Sequence, residues 1–151
     1  MEEILSRAEY GVYLLTCAVG EEINGMPLSL FMQVSFSPPL VLVGVSPKRY
    51  THKMIEESKK FAVIFLRKDQ RQLVDKFKAK DIKEKFKGLA WKRGITGAPI
   101  LEDCLGWIEC ELREKFSPGD HTLFIGEVIA GKLVGGGKLL LISDLGKFYK
   151  G

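Results

Sequence analysis

Asn24-Gly25-Met26-Pro27-Leu28-Ser29-Leu30-Phe31-Met32-Gln33-Val34-Ser35-Phe36-Ser37-Pro38-Pro39-Leu40-Val41-Leu42-Val43 decides how this chain is read. It runs an Asn-Gly loop into a long half-polar strand, then a Pro-Pro corner, then a strand with no polar break. Upstream, Tyr10 to Val19 is rich in β-branched and aromatic residues and ends at Gly20, so it reads as a strand whose partner begins near Met26. Gly20 and Asn24-Gly25 then supply the positive-φ positions of the hairpin loop between them. Leu40 to Val45 is continuously apolar, as expected of a central strand buried on both faces. Such an order can hold a flat ring against backbone and lead to a helix start.

Beyond Val45, Ser46-Pro47-Lys48-Arg49-Tyr50-Thr51 joins strand to helix, with Thr51 as the expected cap, Met54 and Ile55 facing inward and Glu56, Glu57, Lys59 and Lys60 outward. Phe61 to Leu66 is a further buried strand. Leu73, Val74, Phe77, Ile82 and Phe86 recur at helical spacing, which predicts one or two surface helices between Asp69 and Phe86. Long strands are expected over Cys104–Phe116 and Thr122–Leu133, joined through a type II turn at Ser117-Pro118-Gly119-Asp120, with one more turn at Gly135-Gly136-Gly137 leading into a strand over Leu139–Ile142. The expectation is a mainly β chain: a six-stranded antiparallel barrel with peripheral helices, a single domain over residues 1–151.

A chain of 151 residues with 46% hydrophobic content can bury one core. No apolar run approaches the roughly 18 residues that span a bilayer, and Met1-Glu2-Glu3 is unlike a signal peptide, so the expected location is the cytoplasm with no membrane partner. Cys17, Cys104 and Cys110 lie in apolar surroundings without CxxC spacing, which suggests reduced packing residues and neither a disulfide framework nor a zinc site. The formal charge of +4 does not by itself imply nucleic acid, and the lysines between Lys59 and Lys92 read as the solvated side of helices. Asn24 is the only asparagine, a depletion of thermolabile amides seen in hyperthermophile proteins.

Several positions could carry chemistry. Unpaired amides at a helix start attract an anion, Ser46 and Thr51 can donate hydroxyl bonds, and Lys48 and Arg49 add charge, Arg49 with paired bonds to phosphate oxygens; a basic loop with a Thr cap is the alternative. Asn24, Gly25, Met26, Pro27, Leu28 and Ser29 could line a planar ring with backbone groups, Gly25 permitting close approach and Pro27 needing no acceptor, or could be an ordinary hairpin loop. His121, after the Pro118-Gly119-Asp120 turn, could orient a ligand or move a proton, or simply face solvent. His52 reads as exposed on its helix, and no metal-ligand cluster unites it with His121. Gly135-Gly136-Gly137-Lys138 lacks the Ser/Thr and the helix of a phosphate loop. No Ser or Cys shows a local nucleophile motif. Trp91 and Trp107 read as packing anchors.

Taken in order, Gly11-Val12-Tyr13, Asn24-Gly25-Met26 with Ser29, Gln33-Val34-Ser35-Phe36 with Pro38-Pro39-Leu40-Val41, Arg49-Tyr50-Thr51-His52, Phe61-Ala62-Val63 and Gly119-Asp120-His121-Thr122-Leu123-Phe124-Ile125-Gly126-Glu127-Val128 resemble the flavin reductase-like family, flavoproteins with an FMN-binding split barrel. The resemblance runs from about Tyr10 to Gly131. It implies a Greek-key split barrel, a homodimer with FMN at the subunit interface, and reduction by NADH or NADPH with transfer to an acceptor. By position, Asn24, Met26 and Ser29 match the segment lining the isoalloxazine, Ser46, Arg49 and Thr51 the phosphate turn, and His121 the histidine associated with nicotinamide binding. Pro27-Leu28-Ser29 departs from the Thr-Ala-Ser of many members, which removes a hydroxyl and adds bulk near the ring. With the sequence ending soon after Tyr149, no fused rubredoxin or oxygenase domain is expected, so the acceptor is a separate molecule: free flavin, a ferric complex or a redox protein such as rubredoxin.

Two functions follow from the resemblance: an NAD(P)H-dependent flavin reductase, in which His121 orients the nicotinamide, or a flavoredoxin-type FMN electron carrier reduced by a partner protein, in which His121 is dispensable. A barrel binding single-stranded nucleic acid is a third class. It needs aromatics interleaved with lysines on a strand face, whereas Phe77 and Phe86 fit the buried side of helices.

Overall fold

The computed structural model describes residues 1–146; Tyr149 lies outside the described residues. A short helix α1 (Glu2–Leu5) precedes the hairpin of β1 (Tyr13–Val19) and β2 (Glu22–Leu28). Val19 pairs with Glu22, so the turn is Gly20-Glu21, with Gly20 at φ +60°. A glycine at the first of two turn residues is what a II′ hairpin needs. Asn24 and Gly25 therefore lie inside β2, opposite Cys17 and Thr16, and not in the loop where the sequence reading put them. The tight turn at Gly20 leaves no residues for a longer loop.

The half-polar strand is in fact two. β2 ends at Leu28, the chain turns through Ser29-Leu30, and β3 (Phe31–Phe36) pairs with β4 (Pro39–Val45). Helix α2 (Tyr50–Ser58) leads to β5 (Lys60–Phe65). A 3-10 turn (Lys68–Gln70) and the short helices α3 (Gln72–Lys76) and α4 (Ile82–Phe86) follow, then a small hairpin of β6 (Trp91–Arg93) and β7 (Pro99–Leu101). The sequence reading has no counterpart for that hairpin. The long strands β8 (Gly106–Phe116) and β9 (Thr122–Leu133) close the order.

All pairings are antiparallel, and the main sheet runs β2-β1-β5-β8-β9-β4-β3, seven strands where six were expected. Its curvature shows in the core. Leu15 and Cys17 of β1, Leu28 of β2, Val41, Val43 and Val45 of β4, Phe61 and Val63 of β5, Cys110 of β8 and Phe124 of β9 form one cluster, plugged by Met54 and Ile55 of α2. Six strands thus face a common interior, as in a barrel. The opposite faces of β1 and β5, through Leu14, Ala62 and Ile64, carry a second cluster with α3, α4 and β7. These two strands are buried on both faces. β4 is not: it sits next to the edge strand β3, and its outward Leu40 and Leu42 are only partly covered. Where the barrel splits, the Leu30 carbonyl accepts the Gly44 N–H at 2.9 Å, and a Cβ on Gly44 would come within 2.9 Å of Leu30. That close crossing requires glycine.

Three smaller expectations change. Gly119 does not take the positive φ that a type II turn demands; the β8–β9 loop is held instead by the Ser117 and Thr122 hydroxyls, 3.1 Å apart. Leu139 and Leu141 make only isolated bridges, to Arg67 and Gly11, before a 3-10 turn over Ile142–Leu145, because the Asp144 carboxylate takes the Leu141 N–H and coils the chain. Trp91 and Trp107 pack against the outer cluster, as expected of anchors. No helix among the described residues is long and apolar enough to cross a membrane.

Candidate functional site

Strand register builds the site. Val45 at the end of β4 pairs with Thr122 at the start of β9, so the chain leaving β4 at Ser46 lies beside the chain arriving at His121. Side chains fix this neighbourhood. His52, in the first turn of α2, meets the Thr122 hydroxyl through Nε2 at 2.7 Å and Glu56 through Nδ1 at 3.2 Å, and Glu56 also pairs with Lys115 of β8. His52 is buried, not exposed as the sequence suggested, because α2 turns that face onto β9. It pins the helix start to the β8–β9 loop.

The turn itself is compact. The Ser46 carbonyl accepts the Arg49 N–H at 3.0 Å and the Ser46 hydroxyl accepts the Lys48 N–H at 3.3 Å. Arg49, with φ −85° and ψ 135°, is the residue that precedes α2, so the cap falls there and not at Thr51. Thr51 lies within the first turn and is buried. Neither Lys48 nor Arg49 has a carboxylate within ion-pairing distance among the described residues.

A cavity of about 1100 Å³ opens between this turn and β2. Asn24, Met26, Pro27, Leu28 and Ser29 form one wall, Ser46, Lys48, Arg49 and Thr51 a second, and Asp120 with His121 a third. The cavity brings together every residue that the sequence pointed to for the ring, the phosphate and the nicotinamide except Gly25, whose position is a packing one: a Cβ there would approach the Phe77 ring to 3.0 Å. Leu28 belongs to the barrel interior, so most of its bulk is directed away from the cavity. Pro27 sits on the edge strand, where a missing N–H costs no ladder bond. His121 is half-buried at the rim, its Nδ1 2.8 Å from Asp120, and that contact lowers the Asp120 carboxyl pKa.

The far wall was not anticipated. Lys78, Ala79, Lys80, Ile82 and Lys85, from α4 and the segment before it, complete the lining. Lys85 is buried, with Nζ 3.0 Å from Asn24 Oδ1 and 2.7 Å from the Gly25 carbonyl. Burial lowers its pKa from the ordinary lysine value, and the charge of Arg49 lowers it further. The sequence held a signal for this residue. Lys85 follows Ile82 by three positions and precedes Phe86, so it falls on the apolar stripe of α4 and not on the solvated face assigned to lysines there. The cavity therefore carries five cationic side chains, Lys48, Arg49, Lys78, Lys80 and Lys85, against the single carboxylate of Asp120. Such a surface attracts an elongated anion with an apolar or aromatic portion.

Thiol chemistry has no place in it. Cys17, Cys104 and Cys110 are buried and unpaired, and burial pushes their pKa values to about 12, 11 and 12, leaving them protonated packing residues as expected. Among the described residues no cluster of His, Cys, Asp and Glu is arranged to hold a metal.

Residues 5–150 match the family model described as flavin reductase like domain. The chain is 31% identical over 122 residues to a probable flavin reductase of Rhizobium meliloti, an alignment covering 80% of this chain and 39% of that protein. It is 30% identical over 123 residues to a high molecular weight rubredoxin of Moorella thermoacetica, covering 79% of this chain and 54% of that one. The chain thus spans about half or less of the length of these curated relatives. Among solved structures, the NADH:FAD oxidoreductase of Streptomyces globisporus, in complex with NAD and FAD fragments, superposes with a TM-score of 0.87 at 29% identity, over 99% of this chain and 89% of that one.

Proposed function

From the premise that the chain belongs to the flavin reductase like domain family, we propose that it is an NAD(P)H-dependent flavin reductase, a single domain over residues 1–151, which binds FMN in the cationic cavity and passes electrons to a separate acceptor. The observation that carries this reading is the composition of that cavity: four cations without an ion-pair partner among the described residues, Lys48, Arg49, Lys80 and Lys85, and one apolar-backed strand wall converge on a space large enough for a flavin. The residues present fit the cofactor. Lys48 and Arg49, without an ion pair among the described residues, would take the phosphate with the Ser46 and Thr51 hydroxyls and the start of α2, where the helix dipole favours negative charge. The wall from Asn24 to Ser29 would hold the ring system by backbone groups and by the side chains of Met26 and Pro27.

When bound, the flavin supplies the redox chemistry, accepting a hydride from the nicotinamide and releasing electrons singly or in pairs. The protein's part is alignment and exclusion of water. His121 at the rim would orient the nicotinamide, its ring fixed through Nδ1 by Asp120 so that Nε2 faces outward from that contact. The packing of Leu28 into the barrel core takes part of its bulk out of the cavity, which supports a reductase over an electron carrier that needs no nicotinamide site.

We further propose a homodimer in the cytoplasm. Met32, Val34 and Phe36 on β3 and Phe116 at the end of β8 are exposed, Phe36 at 84%, apolar side chains that a second subunit would cover. The similarity to a rubredoxin-named relative supports a redox protein among the candidate acceptors, beside free flavin and a ferric complex. The deciding experiment is the absorption spectrum of the purified protein after incubation with FMN, followed by anaerobic addition of NADH or NADPH. Bound flavin that bleaches with either nucleotide supports the reductase. Flavin that binds and does not bleach leaves only the carrier, and no bound flavin refutes both.

A further inference from the structure

Of the lysines and arginines among the described residues, only Lys85 is buried. Burying an ammonium costs several kcal/mol unless a counter-charge or full hydrogen bonding offsets it. Among the described residues the other strongly buried charge illustrates a satisfied case: Glu109 accepts the N–H groups of Ile95 and Thr96 and the Thr96 hydroxyl. Lys85 is different. It has three N–H donors, and the structure provides two acceptors, Asn24 Oδ1 and the Gly25 carbonyl, both neutral and both on β2. No carboxylate among the described residues lies within ion-pairing distance of it. Two acceptors leave one donor of Lys85 over, its charge has no counter-ion among the described residues, and the residue lines the cavity.

We propose that Lys85 is a further cofactor-contacting residue, whose ammonium offsets the negative charge that the bound flavin gains on reduction. The inference rests on the flavin reading above. A hydride carries two electrons and one proton; the dihydronicotinamide that loses it becomes a positively charged pyridinium, and the flavin that receives it gains one negative charge. A cation placed at the cavity wall before the reaction favours that product without any rearrangement. The direction of the Lys85 pKa, lowered by burial and by repulsion from Arg49, fits such a role, since an arriving negative charge offsets the cost that both impose on the ammonium. Asn24, held by the same ammonium, is positioned by it on the β2 wall.

The test is the reduction potential of the bound flavin, read against a reference dye, in the wild type and in Lys85→Met, Lys85→Gln and Lys85→Arg, with FMN and with riboflavin. Loss of the charge should weaken reduced flavin relative to oxidised flavin at least tenfold, a fall of about 30 mV for a two-electron couple. Lys85→Gln, which keeps a donor but no charge, should fall with Lys85→Met, and Lys85→Arg should stay near the wild type. Should Lys85→Met not fold, the Gln and Arg pair decides the matter. Riboflavin should show the same fall as FMN; a fall confined to FMN would move Lys85 to the phosphate and overturn the proposal. Unchanged potentials in folded, flavin-loaded Met and Gln variants would overturn it while leaving the flavin reading intact. A wild type that binds no flavin would overturn both.

Discussion

Replacing Arg49 with alanine should separate two ligands that differ only by a phosphate. Arg49 precedes α2 without a side-chain capping bond, and its guanidinium has no ion-pair partner among the described residues, so the fold loses nothing in Arg49→Ala. What disappears is one charge-assisted, two-pronged contact to phosphate oxygens. Hydrogen bonds to charged groups contribute about 1.5–3 kcal/mol. Arg49 is exposed at the cavity mouth, where solvent screens it, so the lower end applies. At about 1.4 kcal/mol per tenfold, the FMN dissociation constant should rise about 10- to 30-fold. Riboflavin should lose less than about 2-fold, because it has no group for Arg49 to hold. Titration of flavin fluorescence quenching measures both constants in one buffer, and the FMN difference should shrink with added salt. Equal losses for the two ligands would remove Arg49 from the phosphate site and, with it, the argument that joins the Ser46–Thr51 turn to an anion.

Further outcomes can be stated. His121→Ala should slow anaerobic flavin reduction by NADH or NADPH by about 10-fold or more while FMN affinity and dithionite reduction stay nearly unchanged, since the residue lies at the rim away from the β2 wall; an unaltered stopped-flow bleaching rate would reject its role. Gly25→Ala puts a methyl group 3.0 Å from the buried Phe77 ring and 3.3 Å from Thr16, so overpacking should lower unfolding stability by about 1–3 kcal/mol in urea, and a wild-type midpoint would contradict that. If the exposed apolar residues of β3 lie in a dimer interface, dilution should release flavin in step with subunit dissociation. A monomer by light scattering that retains its full flavin content would defeat the dimer.

Much of the barrel was legible because strand periodicity is a local property. β5, β8 and β9 emerge within about two residues of where alternation and turn residues put them, and the apolar positions of α3 and α4 face the core as their spacing implies. The misread places share a cause. Asn24-Gly25 looks like a hairpin loop because those residues tolerate positive φ, yet Gly20 already supplies the turn, and the register of β1 against β2 decides which glycine turns the chain. Gly25 is required by the Phe77 ring, a contact across more than fifty positions that no window of sequence contains. β4 reads as doubly buried from its composition, whereas its place beside an edge strand is a fact of topology.

The site shows the same division more sharply. Ser46, Lys48, Arg49 and His121 are recognisable singly as an anion turn and a histidine after a loop, but only the pairing of Val45 with Thr122 makes them neighbours. His52 loses its solvent-facing appearance through that same pairing, because Thr122 offers it a partner. Lys85 was hidden by an average: among so many surface lysines, one more is assigned to solvent by default. Its position on the Ile82–Phe86 stripe contradicted that assignment locally, and a charged residue on an apolar stripe is costly unless the fold or a ligand meets it. The fold meets it only halfway, with two neutral oxygens of β2. Lys85 lines the same cavity as Arg49, and the mutual repulsion of these two cations favours the binding of an anionic ligand there.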